Sequence, residues 1–200
     1  MIYEIIVDAG ETPNKCTIAP LGAREDFRLF PVFGEGPLGP LSAPLLLHHE
    51  GQCLAELRNT VPAVPAIASV DCVWRRLPRL VERIAWTNNQ PPILARIPEG
   101  FQTVYPRVGL PGKDPQGGLA TIEAIFIAAA MLGNYDPTLL SHYYFARQFI
   151  EQNTRRFLEL GIEAVDQPHP FPAVPGRARD SLTRRRNRGR VPKTARGLTP

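Results

Sequence analysis

The chain has 200 residues and an apolar fraction of 44%, enough for one compact core with extensions. Its formal charge of +4 conceals a division: residues 177–200 hold nine Arg or Lys and one acid, Asp180, a balance of +8, whereas residues 1–176 hold 14 basic and 18 acidic side chains, a balance of −4. An acidic body with a cationic tail excludes a domain coated uniformly with positive charge for nucleic acid.

Residues 2–7 read as a first β-strand. The acids around that strand, and the absence of a basic stretch before it, argue against a signal peptide. Residues 31–44 contain four prolines and three glycines and are expected to form a surface loop. A short strand follows at 43–47 through Leu45-Leu46-Leu47, then a short helix at 51–58 with Leu54 and Leu57 on one face. Ala66-Ile67-Ala68-Ser69-Val70 is an apolar run of the kind that forms a buried parallel strand, ending at Asp71. Over 73–85, Val73, Leu77, Leu80, Val81 and Ile84 make a helical stripe, with Pro78 at a start or a kink. A further strand is expected at 93–97.

Residues 98–118 then form a long loop holding Tyr105 and Gly117-Gly118; such loops in compact domains are functional or disordered. The spacing predicts a helix over 119–132, burying Ile122, Ala124, Ile125, Ala128, Ala129 and Leu132 and ending at Gly133. A second helix is expected over 137–160. Strands alternating with helices imply an α/β domain with a parallel sheet flanked by helices. Past residue 165 the prolines and then the arginines predict a disordered basic tail, dividing the chain into 1–165 and 166–200. No apolar run reaches the roughly 20 residues of a membrane-spanning helix. Cys16, Cys53 and Cys72 lack the spacing of a disulfide framework or a zinc site. No membrane and no metal are therefore expected, and a reducing cytoplasm is the expected setting.

Ligands of open parallel sheets collect at the carboxyl ends of strands, and two features fall there. Asp71-Cys72-Val73-Trp74 follows the strand at 66–70. A carboxylate there can act as a base or hold a ligand hydroxyl, and an indole can wall a flat ligand; a helix cap and a core tryptophan are the alternative. Gly117-Gly118-Leu119-Ala120-Thr121 leads into a helix, whose first amides suit a carboxylate or phosphate; a plain loop before a helix is the alternative. It is neither a dinucleotide fingerprint nor a P-loop.

Lys15-Cys16-Thr17, Asp71-Cys72-x-Trp74, Tyr105 and Leu119-x-x-x-Glu123-Ala124, in that order, resemble the Tsr3 family of rRNA aminocarboxypropyltransferases and the related DTW-domain tRNA-uridine enzymes. The string Gly-Gly-Leu-x-Thr-x-Glu-Ala is nearer the DTW side, and Lys-Cys-Thr with Asp-Cys-x-Trp nearer Tsr3. The likeness spans roughly residues 1–160. It implies a SPOUT-like domain with a C-terminal trefoil knot that binds S-adenosylmethionine. It also implies transfer of the 3-amino-3-carboxypropyl group to N3 of a uridine or pseudouridine in RNA, with rRNA ahead of tRNA.

The resemblance implies cofactor contacts from Thr17, Val70, Asp71, Trp74, Ile97, Leu119, Thr121 and Ala124, with Asp71 and Trp74 at the reacting centre. Asp71 is a base for N3 or a ligand to the cofactor's amino group or ribose. Val73 and Ala120 stand where relatives carry hydroxyl side chains. Methyl transfer from the same cofactor, and RNA binding without catalysis, are the other readings.

In the tail, Arg184, Arg185, Arg186, Arg188 and Arg190 are placed to attract RNA phosphates without reading sequence. His48-His49-Glu50 is set aside as a metal site, since neighbours on a strand face opposite ways. The aromatics of His142-Tyr143-Tyr144-Phe145, expected on the last helix, are assigned to packing.

Overall fold

The computed structural model describes residues 1–8, 16–61, 63–87, 90–106, 118–167 and 171. Among the described residues seven strands form: β1 (Ile2–Val7), β2 (Phe27–Pro31), β3 (Leu38–Leu41), β4 (Leu45–Cys53), β5 (Ala66–Asp71), β6 (Ile84–Trp86) and β7 (Ile93–Arg96). Four α-helices accompany them: α1 (Leu54–Leu57), α2 (Leu77–Val81), α3 (Thr121–Met131) and α4 (Ala146–Glu159). Five strands make one sheet in the order β2-β1-β5-β4-β7, parallel at every junction. Among the described residues no helix is long and apolar enough to cross a membrane.

Alternation along the strands sends side chains to two cores. Tyr3, Ile5, Leu45, Leu47 and Ile67 pack with α1, α3 and α4. Ile6, Leu46, Ala66, Ala68 and Val70 pack with Leu77 and Leu80 of α2 and with the small sheet β3–β6. β5 is buried at all six positions because it is covered on both faces, which is why its sequence runs apolar without alternation. α4 is amphipathic, turning Phe149, Ile150, Asn153 and Phe157 inward.

α3 is fastened at both ends. At its start, Thr121 reaches Asp71 at the end of β5. Past its end, Gly133 takes the left-handed conformation (φ 85°), and the Asn134 side-chain amide donates to the Tyr3 hydroxyl of β1 at 2.9 Å. Next to it Arg24 binds both Asp26 and Asp136 at 2.8–2.9 Å. It holds the Asp26 carboxyl below its ordinary value. At Asp136 burial opposes ionisation, but the Thr138 hydroxyl and amide, with Arg24, outweigh it and lower that carboxyl too.

Glu4 is an acid inside the sheet, 1% exposed. It accepts from the Ser42 amide and hydroxyl, the Ala43 amide and Arg28 at 2.6–3.1 Å. Burial opposes its ionisation, but these donors outweigh it and hold the carboxyl below the usual value. The contact pins the β3–β4 connection onto β1.

Several elements differ from the sequence expectations. Residues 31–44 contain β3, with Leu38 and Leu41 buried, because pairing with β6 supplies what the Pro/Gly-rich sequence does not show. The stripe at 73–85 breaks into a 3-10 turn (Trp74–Arg76), α2 and then β6, with Pro78 in the first turn of α2. Val73 is left exposed. The segment expected to be one helix from 137 opens as a 3-10 turn (Pro137–Leu140), and α4 begins only at Ala146. β2 was not evident from the sequence pattern.

In β4 the register slips: Leu47 and Gln52 both lie opposite Ala95 of β7, so residues 48–51 are an excursion from the ladder. At Gly51 a Cβ would come within 2.5 Å of the Leu94 and Ala95 backbone. Only glycine allows this close passage.

Candidate functional site

Because the sheet is parallel, the ends of β1, β5, β4 and β7 open on one edge. Asp71 stands there, 8% exposed. Its Oδ1 accepts the Thr121 hydroxyl at 2.6 Å and its Oδ2 accepts the Cys16 thiol at 3.0 Å. Burial, and then the adjacent Asp71 charge, push the Cys16 thiol up to about 11. It stays protonated at neutral pH and serves as a donor, not a nucleophile. Beside this group the Asp8 amide donates to the Asp71 carbonyl at 2.9 Å, and the buried Asp8 carboxylate pairs with Arg76 at 2.7 Å.

α3 enters the site through Ala120, its N-cap, which offers no side-chain cap. Glu123 makes up part of the loss. Fully buried, it accepts the Ala120 amide and the Thr103 hydroxyl at 2.7 Å on Oε2. On Oε1 it accepts the Val104 amide at 3.1 Å and the Tyr143 hydroxyl at 2.7 Å. The loop after β7 and the turn before α4 are thereby drawn to the start of α3. Tyr105 stands edge-on to Phe145, ring centres 6.5 Å apart.

Trp74 is half-buried and touches two other segments. A Cβ on Gly118 would lie 3.1 Å from the indole Nε1 and Cζ2, so the backbone leading to α3 runs against the ring. His49, from the β4 excursion, meets the indole in a T-shaped contact with centres 5.6 Å apart.

Of the residues singled out from the sequence, Asp71 and Thr121 touch directly, and Trp74 packs on Gly118 one residue before Leu119. Ala124 lies three residues beyond Thr121 on α3, and Thr17 follows Cys16. Ile97 follows the end of β7 and, like Leu119 and Ala124, packs against the helical core. Val70 adjoins Asp71, but its side chain belongs to the other core. Arg184, Arg185, Arg186, Arg188, Arg190, Lys15 and Gly117 lie outside the described residues.

Strand alternation does not govern His48-His49-Glu50, because these residues sit in the excursion and the two rings face each other at a tilt, centres 4.5 Å apart. Among the described residues no group of three or more His, Cys, Asp or Glu is placed to hold a metal. His142–Phe145 precedes α4 instead of lying on it; Tyr143 and Phe145 pack, and Tyr143 also serves Glu123. Sequence reasoning missed the roles of Glu123, Cys16, Asp8 and His49. Glu123 alone had a readable signal, since an acid three residues after an N-cap is capping-box spacing.

Two hollows, of about 360 and 390 Å³, lie elsewhere, beside Tyr144–Gln148 and between Arg58 and Leu132.

Fold and site together define an α/β protein with a parallel sheet flanked by helices and polar groups gathered at the strand ends. The fold is similar to that of the SAM-dependent rRNA:acp-transferase Tsr3 from Vulcanisaeta distributa. The TM-score is 0.52 over 80% of this chain and 83% of that one, at 18% identity. No family model matches the chain, and no curated protein matches its sequence.

Proposed function

We propose that the protein transfers the 3-amino-3-carboxypropyl group of S-adenosylmethionine to N3 of a uridine or pseudouridine in RNA, rRNA before tRNA, with release of 5′-methylthioadenosine. The observation that carries this reading is the 2.6 Å contact between Asp71 and Thr121. It joins, across 50 residues of sequence and at the sheet's carboxyl edge, the two motifs on which the family resemblance rests. The fold shared with an rRNA:acp-transferase supports it.

The residues suit such a cofactor. The first amides of α3 have no carbonyl acceptor within the helix, and the positive end they form favours a carboxylate. Trp74 offers a half-buried indole to wall the sulfonium, with a cation–π attraction. Bound S-adenosylmethionine supplies an activated carbon, and the N3–carbon bond forms as the carbon–sulfur bond breaks. Trp74 and α3 then select which carbon faces the base, by orientation.

In this reading Asp71 takes the N3 proton, help worth about 10²–10⁴-fold, or holds the cofactor's amino group or ribose. Each of its oxygens accepts one hydrogen bond and a carboxylate oxygen has two acceptor sites, so the ring N–H can be received while Cys16 and Thr121 hold the group in place. In this reading residues 1–165 are a SPOUT-like cytoplasmic unit with a C-terminal knot. Residues 166–200 are the basic tail, drawing RNA phosphates to an acidic body.

The test is incubation of the full chain with S-adenosylmethionine and RNA, followed by mass spectrometry of the released nucleoside. Methylthioadenosine supports the proposal. S-adenosylhomocysteine replaces it with methyl transfer, and RNA binding without turnover replaces it with a binding protein.

A further inference from the structure

The excursion in β4 is an expensive irregularity at one particular place. Residues 48–51 leave the ladder between Leu47 and Gln52, and the chain returns only because Gly51 passes against the β7 backbone at a separation that excludes any side chain. The excursion lies at the carboxyl edge, on the strand next to the one that ends in Asp71.

It is also internally organised. His48 Nδ1 accepts the Glu50 amide at 3.3 Å, the His48 and His49 rings lie tilted to one another with centres 4.5 Å apart, and His49 meets Trp74 edge-to-face at 5.6 Å. With the Gly118 backbone also against the indole, Trp74 is held by two chain segments besides its own.

We propose that His49 is a positioning residue: it fixes the plane of the Trp74 indole, and through it the orientation in which the cofactor's sulfonium is presented. This rests on the cofactor reading above, in which Trp74 is the wall. Among the described residues, the charged or titratable groups that face His49 are Glu50 Oε1, 3.8 Å from His49 Nε2, and the His48 ring. An uncharged aromatic ring at position 49 is therefore expected to substitute for it.

The experiment compares His49→Ala with His49→Phe, each in a Trp86→Phe background so that Trp74 alone emits. Emission and acrylamide quenching are read without ligand, and S-adenosylmethionine affinity by calorimetry. His49→Ala is expected to shift Trp74 emission to the red, raise its quenching and weaken affinity about 2- to 10-fold, the range of one aromatic pair. His49→Phe is expected to restore all three. A merely structural role predicts no such rescue by an aromatic ring.

Unchanged emission in His49→Ala, or failure of His49→Phe to restore it, overturns the proposal. If the parent protein binds no S-adenosylmethionine, the cofactor reading fails and takes the proposed purpose with it. The emission arm still decides, separately, whether His49 orients the indole.

Discussion

Replacing Glu123 by glutamine keeps the shape of the side chain and exchanges one acceptor for a donor. In the native protein each carboxylate oxygen receives one hydroxyl and one backbone amide: Thr103 and Ala120 on Oε2, Tyr143 and Val104 on Oε1. Whichever way the new amide turns, its NH₂ faces one hydroxyl and one backbone N–H. The hydroxyl can rotate to accept; the N–H cannot. One buried backbone donor is therefore orphaned, at about 1–3 kcal/mol, and the surviving bonds lose their charge assistance.

The expected loss is about 2–5 kcal/mol, since Glu123 itself has no exposure through which water could help. With a urea slope of about 1–3 kcal/mol per molar, the unfolding midpoint falls by roughly 1 M or more. Tyr143→Phe removes one of the four donors and leaves Glu123 Oε1 the Val104 amide, so it is expected to cost only about 1–2 kcal/mol. Urea titration followed by circular dichroism at neutral pH measures both. A Glu123→Gln midpoint within about 0.3 M of the parent, or a costlier Tyr143→Phe, refutes the reasoning.

Thr121→Val removes the hydroxyl donor to a buried carboxylate and is expected to cost about 1.5–3 kcal/mol and to weaken S-adenosylmethionine binding. Thr121→Ser retains both, and equal melting and calorimetric behaviour of the two variants would refute the tie. Glu4 is held below its ordinary pKa in the fold, so its contribution is present above the unfolded value and is lost as pH falls through the folded one. Glu4→Gln is accordingly expected to flatten the acid limb of a stability–pH curve, and an unaltered limb excludes that contribution. Deleting residues 177–200 removes the +8 balance; RNA affinity and its salt dependence are expected to fall while cofactor binding persists. An unchanged slope of log affinity against log salt would exclude phosphate contacts from the tail.

The parts of the fold legible in the sequence are those whose burial is complete or one-sided. The run 66–70 is apolar throughout because β5 is covered on both faces, and α3 reads as a helix because apolar residues and a terminal Gly133 agree. β3 was hidden since Leu38 and Leu41 are separated by Gly-Pro and gain their strand only by pairing with β6. Ile84 fitted a helical stripe by spacing, yet that same pairing makes it β6.

In the site, Asp71 and Thr121 were marked by motif, but their contact is a tertiary fact. His49 was misplaced because alternation presumes an unbroken strand, and the slip opposite Ala95 depends on β7, 40 residues on. Glu4 carries a weak signal: an acid inside an apolar parallel strand needs buried donors.

The two attachments of α3 also make the helix a measuring rod. Its 11 residues, at about 1.5 Å each, set the interval between Thr121, on Asp71 at the end of β5, and Asn134, on Tyr3 near the start of β1. Each residue also turns the helix by about 100°. Adding or removing one would swing Thr121 away from Asp71 while Asn134 stayed in place, even with every side chain of the site intact. Residue count between these anchors is thus a determinant of the site, separate from residue identity.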